Sequence, residues 1–119
     1  MRWLIICVCI FLCMGCQTAK WDKTELAMEA GFLTLHGIDW AQSLKIARNP
    51  GEYHEHNPLL GKHPSEGNVN MVMGAWTVIQ PVIAHLLPSN WRKGFIAASG
   101  LVKLGAVINN ASIGLGWGF

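Results

Sequence analysis

Charge is scarce in this 119-residue chain: Asp, Glu, Lys and Arg make up 13% of it, against about 25% in an ordinary soluble domain. That shortage argues against a disordered tail and against a long charged coiled coil. Basic runs are missing too. Nine Lys and Arg against seven Asp and Glu leave a net charge of +2, scattered with no stretch able to track phosphates, so nucleic acid is not an expected partner. Cysteine is absent after residue 16, since Cys7, Cys9, Cys13 and Cys16 all stand in the first segment. A mature chain starting at Cys16 holds one cysteine, which excludes an internal disulfide and a Cys-paired zinc site.

What fills the chain instead is apolar: 51% of residues are hydrophobic. Met1 and Arg2 precede an uncharged apolar run, Trp3 to Met14, which is followed by Gly15-Cys16. Its length suits the core of an export signal and falls short of the roughly 17 to 25 residues that span a bilayer. The Gly-Cys pair resembles the end of a bacterial lipoprotein signal, with Cys13 where Leu is usual and Met14 where a smaller residue is common. The expectation is a signal peptide over 1–15, lipid attachment at Cys16, and one small helical membrane-associated domain over 16–119. Several acyl chains at Cys16 would anchor firmly, where one alone anchors only marginally.

No proline interrupts Asp22 to Arg48, and the apolar spacing there is helical. At 100° per residue, Asp22, Glu25, Glu29, His36, Asp39 and Ser43 share one narrow face, and Leu26, Ala30, Leu33, Trp40 and Leu44 point elsewhere. Asn49-Pro50-Gly51 ends the helix. Residues 49–68 are polar and rich in Pro and Gly, which predicts a long ordered loop in which Ser65 caps the next helix. Residues 69–87 carry no Asp, Glu, Lys or Arg and are just long enough to cross a bilayer. Pro81 should kink that helix, whose Asn70, Gly74, Thr77 and Pro81 share a face. Ser89 or Asn90 is the expected N-cap of a third helix over 91–110, with Ser99, Lys103, Ala106 and Asn110 aligned along it. The Gly-apolar alternation of 113–119 suits an extended, packed end.

The expected fold is therefore all-α: a three-helix bundle, or a hairpin plus one helix, with a long ordered polar loop. Lysine at the centre of a spanning helix costs about 2.5 to 3.5 kcal/mol. Lys103 thus needs a partner, which Asp39 or Glu29 can supply, and Glu29, His36, Asp39, Gln42 and Lys103 form the expected structural polar network. Trp21 and Trp91 stand at segment ends beside Lys or Arg, which suits a membrane–water boundary and equally suits packing in the core of a small bundle. Basic residues flank both ends of 69–87 and do not decide orientation.

Two arrangements invite a chemical reading. His54, His56 and His63, with Glu52 and Glu55, form the densest group of possible metal ligands, an alternative set to the preferred reading of a hydrogen-bonded loop with no metal. His36, Asp39 and Ser43 imitate a hydrolase triad in residue type. On one helix, however, His36 and Ser43 stand about 10 Å apart along the axis and cannot share a proton. No catalytic residue and no cofactor is expected.

The run His36-Gly37-Ile38-Asp39-Trp40-Ala41-Gln42-Ser43, then Ile46-Ala47-Arg48-Asn49-Pro50, then Tyr53 through Ser65, resembles a family of small proteins of proteobacteria and their phages. Its pattern is Asp-Trp-x-Gln-Thr, Ile-Ala-Arg-x-Pro and Glu-x-Asn-Pro-x-Leu-Gly-x-His-Pro-Ser. Ser43 and His56 stand where that pattern has Thr. The resemblance implies a membrane-directed leader and a loop motif of Glu55, Asn57, Pro58, Gly61, His63, Pro64 and Ser65. In this motif Glu55 accepts backbone N–H groups and Gln42 or Asp39 fastens the loop to the first helix. It carries no activity to transfer. The function expected is that of a non-enzymatic envelope protein that binds a membrane component, with the bilayer and another membrane protein as partners. Excluding a second phage or modifying the envelope would be natural tasks. The alternatives are a metal-binding envelope protein or enzyme using the His/Glu loop, and an integral lysis or permeability factor.

Overall fold

The computed structural model describes residues 20–117, so the expected signal peptide and Cys16 lie outside the described residues. The described residues are all-helical, with no strand among them. Helices α1 (Lys23–Arg48), α2 (Glu66–Leu86) and α3 (Ser89–Asn110) pack together as a three-helix bundle. At about 1.5 Å per residue they run to roughly 39, 31 and 33 Å. Helix α1 packs along both of the others, whereas α2 and α3 touch each other sparsely, so α1 is the backbone of the assembly.

Each start and stop has a local cause. Asp22 caps α1 in a capping box: its carboxylate accepts from the Glu25 N–H at 2.7 Å while Glu25 accepts from the Asp22 N–H at 2.9 Å. The Lys93 ammonium, 2.8 Å from Asp22, holds that carboxyl below its ordinary value. Ser65 accepts from the Asn68 N–H at 3.1 Å and starts α2 at Glu66, three residues before the periodicity alone suggested. Ser65→Ala should lower stability by about 1 kcal/mol, read as a lower denaturation midpoint with an unchanged circular dichroism spectrum. Helix α3 departs from expectation. It begins at Ser89, with Pro88 in the cap position and no side-chain cap bond, so neither Ser89 nor Asn90 is the N-cap.

The loop from 49 to 65 is ordered by its own contacts. Glu55 Oε1 accepts from the N–H groups of His56 and Asn57, both at 3.0 Å, and the Glu55 N–H donates to Lys62 O at 2.8 Å. Asn57 Oδ1 accepts from the Leu59 N–H at 3.0 Å, and Gly61 turns the chain at φ +75°. Leu60 then inserts beside Val69 and Met73, with Trp40, Leu44, Ala47 and Val72 packed around them. Pro64 is buried as well. Neither Gln42 nor Asp39 fastens the loop. An apolar anchor does so, because Gln42 is committed elsewhere.

In the described part of the glycine-rich segment, residues 113–117, the backbone is not the extended one expected. Residues Ala111–Leu115 continue α3 as a π turn, Gly114 reverses direction at φ +99°, and Leu115 is fully buried. Helix α2 passes through Pro81 without a break. Its buried line is Val69, Met73, Gln80 and Ala84, distinct from the Asn70–Gly74–Thr77–Pro81 face.

Candidate functional site

The polar stripe of α1 faces inward. Glu25, Glu29, His36, Asp39, Gln42 and Ser43 are all buried, and each is met by a side chain or carbonyl of a neighbouring helix except Ser43, whose hydroxyl has no partner. At one end, Arg92 of α3 is fully buried. Its guanidinium donates to Glu25 Oε2 at 3.2 Å, to Ala84 O at 2.8 Å, to His85 O at 3.3 Å and to Leu87 O at 3.1 Å, and lies 5.1 Å over the Trp21 ring. The last carbonyls of α2 would otherwise be orphaned. Trp21 Nε1 donates to His85 Nδ1 at 3.1 Å on the same end.

Further along, Gln80 donates to Glu29 Oε2 at 3.2 Å, and His36 Nε2 lies 2.9 Å from Met73 O. The His36 ring stacks on Phe32 with centroids 5.6 Å apart. Lys103 Nζ then reaches Asp39 Oδ2 at 2.6 Å, one of the two carboxylates expected for it. Asn110 bridges this pair to Gln42, donating to Asp39 Oδ1 at 3.4 Å and to Gln42 Oε1 at 3.2 Å. Gln42 in turn donates to Val107 O at 3.2 Å and Gly116 O at 2.7 Å, which ties the terminal turn to α1. The expected network is thus divided: Asp39, Gln42 and Lys103 share one cluster, whereas Glu29 and His36 hold separate contacts. Arg92 and Gln80 were not anticipated. Gln80 had a visible signal as an amide in the middle of an uncharged apolar run.

Because α2 and α3 diverge, a cleft of about 570 Å³ opens between them with Phe32 and Asp39 of α1 on its floor. That volume lies within the range of small-molecule sites. Trp76, Gln80 and Ile83 line one wall, Phe95, Ser99, Val102, Lys103 and Asn110 the other, and Glu55 through Leu59 close the loop end.

The loop histidines do not form the alternative ligand set. His54 and His56 meet edge-on with ring centroids 5.2 Å apart, but among the described residues no three His, Cys, Asp or Glu side chains gather to hold a metal ion. His63 is exposed, as are His54 and His56.

The outer surface is the reverse of the interior. Between the ends of the bundle no Asp, Glu, Lys or Arg side chain on the described helices is exposed, from Thr24 to Ala47, from Gly67 to Leu86, or from Gly94 to Asn110. Large apolar side chains stand there instead, among them Val78 at 62% exposure and Leu101 at 68%. Two segments, Glu66–Leu86 and Ser89–Leu115, are long and apolar enough to cross a membrane. No protein-family model matches the chain, and no curated protein or solved structure matches it.

Proposed function

We propose that this chain is an integral protein of the bacterial envelope whose three helices sit in the bilayer, and that it works by holding a membrane component and not by catalysis. The observation that carries this reading is the inversion of polarity: charge and amides inside, Leu, Val, Ile and Met outside. In water such an arrangement would bury polar groups at a cost while leaving apolar area wet. In lipid it is the favourable one, since polar side chains turn to the bundle interior and find each other. Exposed charge gathers at the two ends, with Lys23 and Lys93 on one and Arg48, Lys62 and Glu66 on the other. Trp21 and Trp91 accompany the first end, where indole rings favour the headgroup layer. The export signal and Cys16 tether read from residues 1–16 fit the same location. A phage-encoded protein of this kind would suit the exclusion of a second phage or the remodelling of the envelope.

Paired substitutions Val78→Lys and Leu101→Lys test the reading. Each places a charge near the middle of a spanning helix at about 2.5 to 3.5 kcal/mol, whereas exposed positions facing water tolerate such changes within about 0.5 kcal/mol. Protease digestion of wild-type membrane vesicles should leave a protected fragment covering α2 and α3, and the paired variant should lose it. Equal protection in both chains would overturn the proposal.

A further inference from the structure

We infer that the cleft between α2 and α3 is a binding site for one bilayer lipid with a primary ammonium in its headgroup, the ammonium seated on Glu55 and an acyl chain lying against Trp76, Ile83 and Phe95. This rests on the bilayer-embedded reading above and names the membrane component.

The cleft is more polar at one end: Asp39, Glu55, Lys103 and Asn110 gather in one half, whereas the other is lined by Phe32, Ile83 and Phe95 with Gln80 and Ser99 as its polar side chains. Helix α2 runs from the loop end of the bundle and α3 runs back towards it, so Asn110 and Lys103 lie in the half nearer the loop and Phe95 and Ile83 in the half nearer the hairpin turn. An amphiphile standing in the bilayer has that same gradient along its length. Its headgroup would reach the loop, which is the level at which the exposed charges of Arg48, Lys62 and Glu66 begin. Val102, 72% exposed and on the rim, leaves the apolar half open sideways to acyl chains.

Glu55 supplies the specific element. It is only 8% exposed, lines the cleft, and spends Oε1 on two backbone N–H groups. Its Oε2 is buried with no hydrogen-bond partner, and no Lys, Arg or His of the described residues forms an ion pair with it. A carboxylate oxygen in that position requires a donor, and a cationic donor repays its desolvation best. A primary ammonium has N–H groups and a positive charge to give, a quaternary ammonium has no N–H, and the glycerol headgroup of an anionic lipid offers hydroxyl donors but no cation. The loop geometry presets the site, because the two backbone donors fix the carboxylate plane before any ligand arrives.

The test uses the full chain reconstituted with equal amounts of phosphatidylethanolamine, phosphatidylcholine and phosphatidylglycerol, followed by mild delipidation and mass spectrometry of the lipid retained. Wild type should keep phosphatidylethanolamine over the other two by about tenfold, the factor that one charge-assisted hydrogen bond supplies. Glu55→Gln should retain lipid with that preference erased, and Val102→Trp should retain less lipid of every class. Three results would overturn the assignment: equal retention of the three lipids by wild type, an unchanged preference in Glu55→Gln, or a lipid-free dimer that closes the cleft with a second copy. Loss of the protease-protected fragment from wild type would instead strike the bilayer reading itself, so the two failures are separable.

Discussion

Arg92→Met is expected to lower the stability of the bundle by about 3 to 5 kcal/mol, the cost of removing one partner of a buried ion pair. The size follows from what is stranded. Glu25 Oε2 loses its cation, and the carbonyls of Ala84, His85 and Leu87 lose the donor that covers the end of α2. Helix α3 starts without a side-chain cap bond of its own, and among the described residues the Arg92 bonds to His85 O and Leu87 O are the side-chain cross-links of the hairpin turn at Pro88, which are lost with it. Arg92→Lys keeps the charge but offers a point donor in place of a planar fork, and it should recover only part of the loss. Thermal unfolding in micelles measures both variants, and tryptophan emission gives a local readout through Trp21, which the guanidinium covers. A loss under about 1 kcal/mol in Arg92→Met would mean that water or lipid headgroups satisfy those carbonyls equally well.

The contrast between Arg92 and Lys103 marks how far the sequence alone could be read. Lys103 advertised itself, since one cation in the middle of an apolar helix must find an anion, and the α1 stripe offered few. Arg92 gave no such signal: three of its partners are main-chain carbonyls, whose availability depends on where α2 ends and not on any side chain nearby. The helices themselves were legible from caps and periodicity, through Asp22, Asn49-Pro50 and Ser65. The inward facing of the stripe was expected only through Lys103, and the partners of Glu25, Glu29 and His36 were not legible, because they depend on how α2 and α3 pack against that face. Glu55 was expected as a loop organiser only through the resemblance of the loop motif, and its carboxylate does accept backbone N–H groups there. The cleft that its second oxygen borders was not legible, since it arises from the divergence of two helices that no local spacing encodes. The chain end misled for a related reason. Alternating Gly suggested an extended strand-like tail, yet Gly114 and Gly116 serve positive φ in a turn that buries Leu115.

Lys103→Met should cost a similar 3 to 5 kcal/mol by leaving Asp39 buried without its cation, and the double variant Asp39→Leu, Lys103→Met should recover most of it. That recovery is the informative outcome, because it separates the worth of the pair from the penalty of orphaning half of it. A charge swap, Asp39→Lys with Lys103→Asp, is more demanding. Asn110 now donates to Asp39 and to Gln42, and Gln42 donates onward to Val107 and Gly116. With a cation at position 39 the Asn110 amide must turn over to offer its oxygen, which leaves its nitrogen facing away from Gln42. The swap should therefore stabilise relative to either single variant but stay below wild type, and adding Asn110→Asp should not recover the shortfall, because an acceptor-only side chain still leaves Gln42 Oε1 without its donor. Equilibrium unfolding of the five chains closes the cycle, and full rescue by the swap alone would mean that Asp39 and Lys103 act as an isolated pair with no energetic tie to Asn110.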